Sequence, residues 1–143
     1  MSSSWRDAKV FKDHVFIGSE ATDHGLQIFD LTTLRAFYGR DRRGKDVRIL
    51  QESGHYDEFG SSHNIVLNEE TGFLYSVGSR TCSSGPHIID VNDPANPVFV
   101  GCYADDGYTH DAECVVYRGP DAAFQGDEIC FLSATAPPRA GIV

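Results

Sequence analysis

Ser62-His63-Asn64-Ile65-Val66-Leu67, then Leu74-Tyr75-Ser76-Val77-Gly78-Ser79, then Gly85-Pro86-His87-Ile88-Ile89-Asp90, is the stretch whose reading decides the fold. Each run is short, rich in β-branched and aromatic residues, and bounded by Gly, Asp, Asn or Pro, which is the composition of strands joined by tight turns. The same order recurs on both sides. Trp5-Arg6-Asp7-Ala8-Lys9-Val10 is followed by Val15-Phe16-Ile17-Gly18-Ser19 and Gly25-Leu26-Gln27-Ile28-Phe29-Asp30, and Thr109-His110-Asp111-Ala112-Glu113-Cys114 is followed by Ile129-Cys130-Phe131-Leu132-Ser133. Asp7, Asn64 and Asp111 stand 57 and 47 residues apart, close to the roughly 40 to 50 residues of a four-stranded propeller blade. The longer first offset places an insertion within Arg35 to Gly60. The sequence therefore predicts an all-β chain, a β-propeller fragment of about two to three four-stranded blades. Its blade-like repeats run over about 5–61, 62–108 and an incomplete 109–143.

Strands are expected at Ala8 to Phe11, His14 to Ser19, Leu26 to Asp30, Asn64 to Asn68, Leu74 to Gly78, His87 to Asp90, Val98 to Tyr103, Ala112 to Tyr117 and Glu128 to Leu132. Lys12-Asp13, Glu70-Thr71-Gly72, Asn92-Asp93-Pro94 and Gly119-Pro120-Asp121 supply the turn chemistry between them. Helical spacing is nowhere sustained.

The chain has 143 residues, with 12 Lys plus Arg against 21 Asp plus Glu and a net charge of −9. That balance repels phosphate backbones and argues against nucleic acid and anionic membranes as partners. No apolar stretch approaches the roughly 20 residues of a spanning helix, and the first residues lack an apolar signal core, so an exported parent's targeting segment would lie outside this chain. Cys82, Cys102, Cys114 and Cys130 are widely spaced and form no C-x-x-C pair, which favours a disulfide framework over a zinc ribbon or a redox motif. Of the three connectivities open to four cysteines, Cys114 with Cys130 is preferred, because the two sit in consecutive strands of one hairpin. Cys82 then pairs with Cys102. Four buried reduced thiols are the alternative.

Leu26-Gln27-Ile28-Phe29-Asp30 and His87-Ile88-Ile89-Asp90-Val91 resemble LVIVD repeats. His63-Asn64-Ile65-Val66, Asn68-Glu69-Glu70-Thr71-Gly72, Gly107-Tyr108-Thr109-His110-Asp111-Ala112 and Glu128-Ile129-Cys130-Phe131 resemble the choice-of-anchor B family, and the likeness runs from about Trp5 to Ser133. The resemblance implies a propeller of LVIVD repeats, exported and often tethered to a cell surface, with no established reaction to carry over. Where the family pattern continues into another such strand, this chain reads Ala134-Thr135-Ala136-Pro137-Pro138-Arg139-Ala140-Gly141. The third repeat is therefore expected to be left unfinished, in a truncated chain or one that needs a partner.

The innermost strand of a propeller blade lines the central channel, so Asp7, His63, Asn64, His110 and Asp111 are expected to converge. His63, His110 and Asp111 form the candidate metal set, with zinc or calcium as candidate ions: imidazole nitrogens favour zinc and carboxylate oxygens calcium. The bland reading is that such residues satisfy backbone groups at strand starts. Asp105-Asp106-Gly107 reads first as a solvated turn and second as a calcium loop. Arg35, Arg40, Arg42, Arg43, Lys45 and Arg48 make a basic loop for an acidic glycan, or a plain surface insertion. Trp5, Phe37, Tyr38, Tyr56, Phe59, Tyr103 and Tyr108 supply either a binding rim or core filling.

No G-x-S-x-G, H-E-x-x-H, Walker A or G-x-G-x-x-G motif occurs, and Ser61 and Ser62 adjoin His63 only along the chain. The reading leans away from catalysis. Three functions follow: a secreted or cell-surface interaction or adhesion module for a protein or glycan, a metal-dependent enzyme using the axial His and Asp residues, or a structural segment that assembles with copies of itself.

Overall fold

The computed structural model describes residues 3–36 and 49–135 with their side chains, together with the backbone of Phe37 and of residues 139–142. Three antiparallel sheets follow one another along the chain, each an up-and-down meander of consecutive strands. The first holds β1 (Arg6–Phe11), β2 (His14–Ser19), β3 (Leu26–Asp30) and β4 (Gly54–Tyr56); the second holds β5 (Asn64–Asn68), β6 (Phe73–Val77), β7 (His87–Asp90) and β8 (Val98–Cys102). The third holds β9 (Thr109–Val116), β10 (Glu128–Ala134) and β11 (Arg139–Ile142). Helical residues occur only as short 3-10 segments at Leu31–Phe37, Cys82–Ser84 and Ala122–Phe124 among the described residues.

Two strands escape the sequence reading. Gly54-His55-Tyr56 is too short to show alternation, yet it pairs with β3 through Leu26↔Tyr56 and Ile28↔Gly54. Arg139–Ile142 follows Pro137-Pro138, where the expectation was that strand structure lapses. Instead β11 returns antiparallel to β10, with Cys130 opposite Gly141, and gives the third sheet a third strand.

A sheet three or four strands wide cannot bury both faces by itself, so each must lean on a neighbour. Phe11, Phe16, Leu26, Ile28, Tyr56 and Phe59 of the first sheet and its loops pack against Ile65, Leu74, Ile89 and Val91 of the second. On the second sheet's opposite face, Val66, Tyr75, Val77 and Ile88 pack against Cys114, Cys130 and Leu132 of the third. The second sheet is thus covered by a sheet on both sides, while among the described residues the first and third each pack against one sheet only. Alternation along the strands sorts the residues: Lys9 and Val66 face toward the following sheet and Glu113 holds the equivalent face of the third, each directly opposite an aromatic, Phe16, Tyr75 or Phe131. Phe16 and Tyr75 are both 0 % exposed, whereas Phe131, with no following sheet, is 54 % exposed.

Both disulfides pair as expected. Cys114 and Cys130 stand opposite each other on β9 and β10 with Cα atoms 4.1 Å apart, and Cys82 joins Cys102 at 5.4 Å, tying the loop after β6 to the end of β8. The second bond restrains a costly turn: Cys82, Ser83 and Ser84 all adopt left-handed backbone, with φ of 54°, 51° and 69°. Such residues cost roughly 1–3 kcal/mol each and persist only where their surroundings hold them. Replacing both Cys82 and Cys102 by Ser should therefore lower the unfolding free energy by roughly 2–4 kcal/mol, read from urea denaturation monitored by circular dichroism. An unchanged midpoint would show that the turn holds without the bond.

Candidate functional site

The first strands of the three sheets lie side by side, and the polar residues that open them meet at that end of the stack. Asp7 uses one carboxylate oxygen to accept from the Ala8 N–H at 2.8 Å and the other to accept from the Ile65 N–H of the second sheet at 3.1 Å. One sheet further on, the Asn64 side-chain amide donates to the His110 carbonyl at 2.9 Å, while its oxygen accepts from the Trp5 indole N–H at 3.3 Å. Asp111 repeats the local half of this pattern, accepting from the Ala112 N–H at 2.9 Å.

His63 is the hub. Its ring stacks on Trp5 at 4.7 Å with an interplanar angle of 10°, and its Nδ1 lies 2.5 Å from the Glu20 carboxylate. Its Nε2 faces His110 Nε2 at 3.0 Å, so that one imidazole donates to the other, and a chain Glu20–His63–His110 spans all three sheets. Gly78 makes room for the hub: it has φ +61°, and a Cβ there would come within 2.7 Å of the His63 Cβ and 3.1 Å of the Tyr108 ring. Gly78→Ala should consequently push His63 out of line and cost more than about 1 kcal/mol, a loss that Gly107→Ala, where a Cβ would meet nothing closer than the Thr135 Oγ1 at 3.8 Å, should approach only through its own positive φ.

The structure brings together Asp7, His63, Asn64 and His110, and it adds Trp5 and Glu20. Glu20 lies in the loop after β2, outside the repeated strand starts, so no repeat signal marks it. Asp111 belongs to the same strand as His110 but spends one oxygen on its own backbone. Among the described residues no group of three or more His, Cys, Asp or Glu side chains is arranged to hold a metal.

Other sequence candidates resolve into structure. Asp106 is buried and accepts from the Tyr103 hydroxyl at 2.8 Å within a turn. Ser62 donates to the Asn64 carbonyl and accepts from the Ser76 hydroxyl, bracing the start of β5. Tyr56 and Phe59 belong to the core rather than to a rim. Arg35 pairs loosely with Asp13 at 3.5 Å; Arg40, Arg42, Arg43, Lys45 and Arg48, with Tyr38 and the Phe37 side chain, lie outside the described residues.

Two buried polar contacts between sheets escape any sequence motif. The Asn68 amide donates to Glu128 Oε1 at 2.7 Å between the second and third sheets. His87, on β7, meets the Tyr56 hydroxyl at 2.8 Å and the Thr81 hydroxyl at 3.0 Å. Burial holds the His87 imidazole below its ordinary value of 6.5, against an opposing pull from the Glu58 carboxylate.

No protein-family profile, curated protein or solved structure matches this chain.

The His87 environment fixes a pH dependence. Because the folded state resists protonation, the unfolded chain binds the proton first as pH falls. The stabilisation is complete above pH 6.5 and is lost progressively below it, toward the depressed folded value. His87→Gln should flatten that decline in urea midpoints measured between roughly pH 7 and pH 5, and a variant with the wild-type slope would locate the titration elsewhere.

Proposed function

We propose that this chain is a set of LVIVD-type propeller blades of the choice-of-anchor B kind, acting outside the cytoplasm as an interaction module rather than as an enzyme. One observation carries the reading. Phe131 occupies the position that Phe16 and Tyr75 occupy in the preceding sheets, yet it is half exposed where they are fully covered. A large aromatic repeated at an inter-sheet position and left open marks a face built to be covered. At the other end, Val10 is 52 % exposed, although its positional counterparts Leu67 and Cys114 are packed against a preceding sheet.

Two disulfides in a chain of this size support an oxidising compartment, and no helix among the described residues is long and apolar enough to cross a membrane. The polar strand starts support the non-catalytic half of the proposal, because Asp7, Asn64, His63 and Glu20 are each engaged in linking one sheet to the next. The partner is a protein or glycan at a cell surface, or a sheet of the same kind.

The His pair favours a second reading. Two nitrogens bound to one cation at about 2.0–2.1 Å stand roughly 3 Å apart, the separation of His63 Nε2 and His110 Nε2. Glu20 behind His63 also provides the carboxylate support common behind metal-bound imidazoles. A zinc-type ion there would take its remaining ligands from water or from a partner.

Fluorescence of an apolar dye tests the leading reading. Wild-type protein should bind the dye, and Phe131→Asp and Val10→Asp should each reduce binding while leaving the circular dichroism spectrum unchanged. Equal binding by all three proteins would contradict it. For the second reading, dialysed protein should retain zinc in stoichiometric amount and lose it in His110→Ala; a metal-free wild type would dispose of it.

A further inference from the structure

The two disulfides sit in opposite surroundings. Cys114 and Cys130 are buried inside the contact between the second and third sheets, in one cluster with Val66 and Tyr75. Cys102 is exposed and Cys82 half-buried. Their bond ties the loop after β6 to the end of β8, the last strand in the order of the second sheet. That sheet has another sheet on each face, so the bond is reached from its edge, away from the outer faces of the first and third sheets.

Both segments joined by the bond are weakly held without it. Cys82, Ser83 and Ser84 run in left-handed backbone, which residues with a side chain rarely adopt three in succession. Two local hydrogen bonds close the turn: the Ser84 N–H donates to the Thr81 carbonyl and the Gly85 N–H to the Cys82 carbonyl, each at 2.8 Å. On the other side of the bond, β8 pairs only with β7 among the described residues, and its Val98, Phe99 and Val100 are all exposed. The ladder is also broken, because register shifts between Ile88 and Ile89 where they face Gly101 and Phe99. An edge strand with little burial and an interrupted ladder can open without global unfolding.

We propose that Cys82–Cys102 is a thiol–disulfide exchange site for a dithiol reductant of the thioredoxin class, while Cys114–Cys130 is a structural bond that such a reductant does not reach. A thiolate of the reductant attacks the Cys102 sulfur, forming a mixed disulfide and expelling Cys82 as a thiolate that takes up a proton. The second thiolate of the reductant then attacks its own sulfur in the mixed disulfide. Cys102 leaves as a thiolate and is protonated, and the reductant departs with an internal disulfide. Two electrons and two protons pass to the chain. Access selects the bond that reacts.

The consequence extends to the strand starts. The Ser84 carbonyl accepts from the Gly78 N–H at 3.1 Å, and Gly78 is the residue that makes room for His63. Thr81, in the same loop, meets His87 at 3.0 Å, and the Phe99 ring of β8 lies 4.8 Å from the His87 ring. Reduction thus releases the turn and β8 together and loosens the cover over His87, while β5 and β6 stay clamped between the neighbouring sheets. Neither step depends on what covers the outer sheets.

The test exposes the folded wild-type chain to dithiothreitol, quenches with N-ethylmaleimide and maps the labelled cysteines by peptide mass spectrometry. Cys82 and Cys102 should be labelled together, at least about tenfold faster than Cys114 and Cys130, and reduced thioredoxin should give the same selectivity. In the singly reduced protein, amide hydrogen exchange should quicken at residues 79–85 and 98–102 and stay unchanged at 64–68 and 73–77. Equal rates for the two pairs, earlier labelling of Cys114 and Cys130, or a Cys82–Cys102 bond that yields only in urea would overturn the site. Thioredoxin failing where dithiothreitol succeeds would overturn the assigned partner class. Loss of the circular dichroism spectrum on selective reduction would overturn the local release, because the bond would then hold the whole fold.

Discussion

Everything in this chain depends on a sheet's need to be covered on both faces. An antiparallel meander three or four strands wide presents two apolar surfaces and has only one thickness of backbone between them. Burying an aromatic side chain such as Phe16 or Tyr75 contributes roughly 1.5–3 kcal/mol, which a lone sheet cannot realise. Stacking realises it once per junction, so stability accumulates between neighbours, as it does in repeat proteins generally. The middle sheet collects that contribution twice and the outer sheets once, and this inequality leads to the account of the open faces.

Apolar burial sets how many faces must be covered, but it does not fix the angle or register at which sheets meet. The polar side chains at the strand starts do that. Asp7 accepting the Ile65 N–H, Asn64 donating to the His110 carbonyl, and His63 held between Glu20 and His110 are directional contacts at one end of the stack. Asn68 with Glu128, and Tyr56 with His87, do the same further out. Loss of a single partner among the buried pairs leaves a polar group unsatisfied, at a cost of about 1–3 kcal/mol. The imidazoles that suggest chemistry in the sequence are here part of the joinery, and their position at the junction of three sheets is what keeps a metal reading alive beside it.

Much of this was legible in the sequence because the repeat is written in residue types. The runs beginning at Asp7, Asn64 and Asp111 signalled strands through β-branched and aromatic content, and their shared position predicted that those polar residues would meet. His14–Ser19, Leu26–Asp30, Asn64–Asn68 and His87–Asp90 fall at the bounds the sequence predicts. The pairing of Cys114 with Cys130 was legible from the hairpin that carries them. What escaped lacks periodicity or depends on distance: Gly54–Tyr56 is too brief to alternate, Arg139–Ile142 follows two prolines, and Glu20 reaches His63 across 43 residues of chain. Tyr56 and Phe59 stayed open between rim and core in the sequence, because a loop residue and a core residue have the same composition until a neighbouring sheet covers one of them.

Amide hydrogen exchange, followed strand by strand on Phe131→Asp protein, tests most directly the claim that covering by neighbours holds each sheet. The amides of β5, β6 and β7 should exchange last and together, while those of β1 to β4 and of β9 to β11 open earlier. Equal protection in all three sheets, or faster exchange in the second than in its neighbours, would contradict the account.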